Sequence, residues 1–94
     1  MPLPLLLEAP DRLPSVAQIR AARALLDWSQ NKLAEVAEVG RATVGDFERG
    51  ARQPIRLSLK AMRRALEDAG IVFLWAETGG EGVLLRARVN TAEP

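Results

Sequence analysis

The chain has 94 residues, enough for one domain, and a chain this short buries only about 60% of the surface its unfolded form exposes. It contains no cysteine and no histidine, which excludes a disulfide framework, a thiolate metal site or nucleophile, and the commonest general base and zinc ligand. Thirteen Lys and Arg against twelve Asp and Glu leave a formal charge of +1, so only the distribution of charge carries information.

The first stretch, Met1 to Pro14, holds Pro2, Pro4, Pro10 and Pro14, which forbid a continuous helix. It lacks the basic start of a secretory signal, and Leu5-Leu6-Leu7 is far too short to span a membrane. The expectation is a partly ordered Pro-rich arm (1–14) on a cytoplasmic protein with no membrane partner. Alternatively, its leucines dock on an apolar surface of this chain or of a partner. Ser15 and Gln18 then fit the S-x-x-Q capping box that opens a helix. The inward stripe of that helix is Val16, Ile19, Arg23 and Leu26, and an arginine on such a stripe needs a partner, because an unpaired buried charge is costly. Trp28 reads as a core anchor.

Ser29 to Gly50 reads as two short helices joined by a tight turn. Ser29 caps the first, and Leu33, Ala34 and Ala37 share one face. Val39 and Gly40 break the pattern. The second helix runs from Arg41 to about Arg49 with Val44 and Phe47 inward, and Gly50 stands where a left-handed residue is cheap. Ala34 is small, as a close helix crossing requires. Apolar anchors on both helices with a short turn between them describe a helix-turn-helix, whose second helix enters the DNA major groove.

Arg52-Gln53-Pro54 is a loop followed by Arg56. A helix over about Leu57 to Ala69 buries Leu59, Met62, Leu66 and Ala69, ends at Gly70, and leaves Arg63 and Arg64 to solvent. From Arg41 to Arg64 seven basic residues stand against Asp46 and Glu48, while the remainder of the chain is net negative. After Gly70 the period changes. Ile71–Ala76 is unbroken apolar and reads as a strand with both faces covered, Thr78–Gly82 as a turn, and Val83–Val89 as a second strand. A lone hairpin is marginal in water, so segment 71–89 is expected to serve dimerisation through Ile71, Phe73, Trp75, Val83 and Leu85.

Trp28-Ser29-Gln30, Leu33-Ala34, Val39, Arg41, Thr43-Val44 and Phe47-Glu48-Arg49-Gly50, closed by Pro54, resemble the phage-repressor or Cro-like (XRE) DNA-binding family, over roughly Val16 to Gly70. Two positions depart from the family's pattern: Glu38 stands where the turn usually carries Gly, and Gly40 where Ser or Thr usually opens the second helix. The resemblance implies a mainly α, lambda-repressor-like helical bundle over 15–70, followed by the hairpin. It implies that Arg41, Ala42 and Asp46 occupy base-reading positions, that Gln30 contacts phosphate, and that Arg23 pairs with Glu48. The residue chemistry agrees. Arg41 offers a bidentate fork to guanine, Ala42 a methyl-sized contact, and Asp46 either an acceptor for cytosine or a partner for a nearby arginine. Gly45, read as outward, would let the backbone approach the groove. Thr43 offers a hydroxyl to phosphate, and Arg49, Arg52 and Arg56 are placed to hold the sugar-phosphate backbone.

Two functions fit. One is a sequence-specific transcriptional regulator, a homodimeric repressor on a palindromic operator in double-stranded DNA. The other is an antitoxin-type protein that represses its own operon and binds a toxin partner. Enzyme chemistry has no support: there is no His or Cys, no phosphate-binding glycine loop and no carboxylate pair in an evident pocket. No catalytic residue, metal or cofactor is assigned.

Overall fold

The computed structural model of the chain describes residues 4–86. Four helices, α1 (Val16–Leu26), α2 (Gln30–Ala37), α3 (Arg41–Glu48) and α4 (Arg56–Asp68), pack with a small antiparallel sheet of β1 (Leu6–Leu7), β2 (Ile71–Ala76) and β3 (Glu81–Leu85), in the order β1-β2-β3.

Local chemistry sets the helix ends. At Ser15 both halves of the capping box form: its Oγ accepts from the Gln18 N–H at 3.1 Å and its own N–H donates to Gln18 Oε1 at 3.0 Å. Ser29 Oγ caps α2 by accepting from the Lys32 N–H at 2.9 Å. The helices α1 and α2 end on residues in the left-handed region, Asp27 (φ 58°) and Glu38 (φ 59°), and their amides close back onto helix carbonyls. Gly50 (φ 71°) supplies the left-handed residue after α3, as its type allows at little cost.

The core gathers Ile19, Ala22 and Leu26 from α1, Leu33 and Ala34 from α2, Val44 and Phe47 from α3, Leu59, Met62, Ala65 and Leu66 from α4, and Ile71, Phe73 and Trp75 from β2. Trp28 is half-buried against this cluster, with Lys32 Nζ 5.9 Å from its ring centre. Gln18 is buried with its polar atoms employed: Nε2 donates to the carbonyls of Leu74 (3.1 Å) and Gly82 (3.0 Å) and so ties α1 to the sheet.

Three expectations are corrected. The sheet has a third strand. Leu6 pairs with Ala76 and Leu7 with Trp75, and the Glu77 N–H donates to the Leu5 carbonyl at 3.2 Å. The prolines that forbid a helix here flank the paired residues without removing a ladder donor, so the segment is free to extend along β2. Arg63 is not solvated. It is 7% exposed, donates to the carbonyls of Ala9 (3.1 Å) and Arg12 and to Glu67 Oε2 (2.9 Å), and lies 5.6 and 5.5 Å from the ring centres of Phe73 and Trp75. Finally, Ile71, Phe73 and Trp75 are buried in the chain's own core, and Val83 and Leu85 pack against it. A strand alternates its side chains, so only one row of β2 meets the helices, and it is the row expected to dimerise. These five residues are core contacts, not a free surface. Positions 87–89 of the expected second strand lie outside the described residues.

Candidate nucleic-acid interface

Two short helices and one tight turn position the site. After α2 the chain passes through Glu38, and the Val39 N–H donates to the Ala34 carbonyl at 3.0 Å, which folds α3 back across α2. Gly40 then caps α3 without a side-chain hydrogen bond. Its backbone is extended, so the usual hydroxyl cap is dispensable but the first-turn N–H groups of α3 lose one acceptor.

The end of α3 is fixed by a buried charge cluster. Arg23 Nε donates to Glu48 Oε2 at 2.7 Å and Nη2 to Glu48 Oε1 at 2.6 Å, while Nη1 donates to the Trp28 carbonyl at 2.8 Å. Gln30 Nε2 adds a fourth contact, to Glu48 Oε1 at 3.1 Å. The hydrogen bonds that Arg23 donates to Glu48, opposed by partial burial and helped by the carboxylate's charge, hold the Arg23 guanidinium above its ordinary pKa. This fork–fork pair orients α3 on α1 and keeps both charges away from the exposed side of α3.

Arg41 and Ala42 are exposed at the start of α3. They open onto different flanks. Arg41 borders a groove with the cap Ser29 and with Asn31 and Lys32 of α2, whereas Ala42, Thr43 and Asp46 border one with Arg52, Gln53 and Pro54. Asp46 is half-buried and bonded on two sides: its carboxylate accepts from Arg49 Nη2, and its carbonyl accepts from the N–H groups of Ala51 (2.8 Å) and Arg52 (3.4 Å). Of the two roles open to Asp46, the intramolecular one is occupied. Arg52 and Arg56 are exposed, and Arg56 opens α4, whose cap, Ile55, offers no side-chain acceptor. A helix N-terminus with uncapped N–H groups and an arginine beside it attracts anions.

One site residue faces the other way from its expected placement. Gly45 is buried, not outward, and a Cβ built on it would lie 3.5 Å from Gln30 Oε1. It sits on the side of α3 that faces Gln30 of α2 and also carries Glu48, where it serves helix packing. Gln30 correspondingly turns its Nε2 to Glu48, with its Oε1 beside Gly45. Sequence reading also passed over Arg20. It is exposed on α1 and borders a shallow groove with Arg23, Gln30, Glu48 and Arg49, and its position one turn before Arg23 was the available signal.

Fold and site together define a small helix-turn-helix bundle whose second motif helix presents its first residues, Arg41 and Ala42, to solvent, flanked by arginines. The model of the family described as helix-turn-helix matches residues 19–67, more than half of the chain, and the chain belongs to that family, of the Cro/repressor-like (XRE) type. It is a DNA-binding transcriptional regulator of that type. No curated protein matches the chain. Among the described residues no helix is long and apolar enough to cross a membrane.

Proposed function

We propose that the protein is a sequence-specific repressor that binds a palindromic operator as a homodimer, with α3 in the major groove. The observation that carries the reading is the exposed start of α3, where Arg41 and Ala42 stand clear of the core while the buried Arg23–Glu48 pair fixes the helix behind them. Arg41 reads a guanine through its fork, and Ala42 meets a base edge with its methyl group. Arg52 and Arg56, with Arg49 and Gln30 at the other end of α3, hold phosphates and set the register of the helix in the groove; Thr43 donates its hydroxyl to the same backbone. Asp46 supports this arrangement by holding Arg49 and the loop that carries Arg52. Repression follows from steric occupation of the operator. The test is selection of bound sequences from a random duplex pool. The reading predicts an inverted repeat with half-sites roughly 34 Å apart; enrichment of no sequence, or of an unpaired single site, counts against it.

A further inference from the structure

A groove of about 530 Å³ lies between the N-terminal arm and α4, within the roughly 300–1,000 Å³ of small-molecule sites. Leu13, Leu57 and Ala61 give it an apolar lining, and its two walls carry opposite charge. The arm supplies Glu8 and Asp11. The helix supplies Arg56, Lys60 and Arg64, spaced four apart and so on one face. All five side chains are exposed, yet among the described residues no ion pair bridges the walls; Arg64 turns instead to Asp68, 3.6 Å away on its own helix. Arg63 also borders the groove, from a buried position. Its Nε and Nη1 are committed to Glu67 and to the carbonyls of Ala9 and Arg12, whereas Nη2 meets no acceptor among the described residues. No unpartnered side-chain nitrogen or oxygen among those residues is sealed from solvent, so Nη2 has an opening, and the groove is the one that Arg63 lines. A guanidinium fixed on its other nitrogens with one N–H edge left over is a preorganised donor for a carboxylate.

We propose that this groove binds a small zwitterion with an apolar body. Its carboxylate takes the free edge of Arg63 and the cations of α4, and its ammonium takes Glu8 and Asp11. A plain anion would leave the two arm carboxylates unmatched and repelling it, and a plain cation would meet the same difficulty at the α4 wall. A molecule carrying both charges is complementary to both walls at once. A free amino acid and a short peptide share that chemistry, and the experiment has an arm for each.

The full chain, without DNA, is titrated with L-leucine and with L-leucyl-L-leucine, followed by calorimetry and by backbone amide resonances. Each probe is repeated in its N-acetylated form, which removes the ammonium, and as its carboxamide, which removes the carboxylate. The expected result is that at least one zwitterion binds and moves the amides of 8–13 and 56–67, while both of its blocked forms bind about tenfold or more weakly. Binding of the dipeptide alone points to a peptide end as the source, and binding of leucine alone to a free amino acid; either supports the site. Asp11→Asn and Lys60→Gln, at exposed positions on the two walls, should each weaken binding about twofold to fivefold, whereas Glu35→Gln on exposed α2 surface should not. Circular dichroism checks folding, and the blocked probes on wild type decide the matter if a wall variant loses helicity. Failure of both zwitterions to bind, blocked forms that bind as tightly, wild-type affinity in both wall variants, or shifts confined to other surfaces would overturn the proposal.

Discussion

Arg23 and Glu48 lie 25 residues apart and meet through two hydrogen bonds, but they are not equally buried: their side chains are 17% and 3% exposed. Removing Glu48 leaves an arginine with the Trp28 carbonyl still in reach and a path to water. Removing Arg23 leaves a carboxylate with only Gln30. Arg23→Ala should therefore cost about 3–5 kcal/mol and Glu48→Ala less. Chemical denaturation of both single variants and the double variant measures this, and additive losses would show the pair to be uncoupled. Because Glu48 raises the Arg23 pKa, the stability from charged Arg23 is fully present below its unfolded value. It is lost only as pH rises through the still higher folded value, so Arg23 contributes no pH dependence near neutrality. At the site itself, Arg41→Ala should lose about 1–3 kcal/mol of discrimination at one position per half-site. Binding titrations on single-base operator variants read this out, and an equal loss on every variant would make Arg41 a phosphate contact.

At the scale of elements, Gly45 and the N-terminal strand are two of the places where the sequence misled. A Cβ at Gly45 would make ordinary contacts, 3.5 Å to Gln30 Oε1 and 3.9 Å to Arg49 Nη1. Gly45→Ala should then raise stability by up to about 1 kcal/mol, as helix propensity favours alanine, and leave operator affinity unchanged. A loss of affinity in that variant would restore a groove role for the position. The strand is held by Arg63, which takes the carbonyls of Ala9 and Arg12, and by the Arg12 guanidinium 5.1 Å from the Trp75 ring centre. Deleting residues through Arg12 removes those acceptors from a buried guanidinium and uncovers Trp75, a loss of about 2–4 kcal/mol. Equal thermal and denaturant stability of the truncated chain would contradict this. What the sequence disclosed were features set by neighbours in sequence: the caps at Ser15 and Ser29, the turn after Ala37, the end of α3 at Gly50. The Arg23–Glu48 pair was legible through resemblance. The backbone carbonyls that hold Arg63 and the pairing of Leu6 were not, because contacts between segments more than fifty residues apart leave no local period, and a single exposed-looking arginine reads as solvated by default. Gly45 failed for a narrower reason: on a helix of only 8 residues, one position divides the buried from the exposed side.

At the scale of the whole molecule, the cations facing solvent near α3 should govern the electrostatics of binding. If Arg49, Arg52 and Arg56 each neutralise a phosphate in both copies, log K should fall against log[salt] with a slope of roughly −5, and Arg52→Ala should flatten it by about 2. Titrations at several salt concentrations test this, and a slope near zero would remove these arginines from the interface. The most direct measurement is a map of backbone amide resonances in the labelled full chain as a duplex selected from the random pool is added. The DNA-binding account predicts the largest shifts at Gln30, Arg41 to Asp46, and Arg49 to Arg56, with amides on the buried face of α4 unmoved. Shifts confined to other surfaces, with Arg41 and Ala42 unchanged, would contradict it.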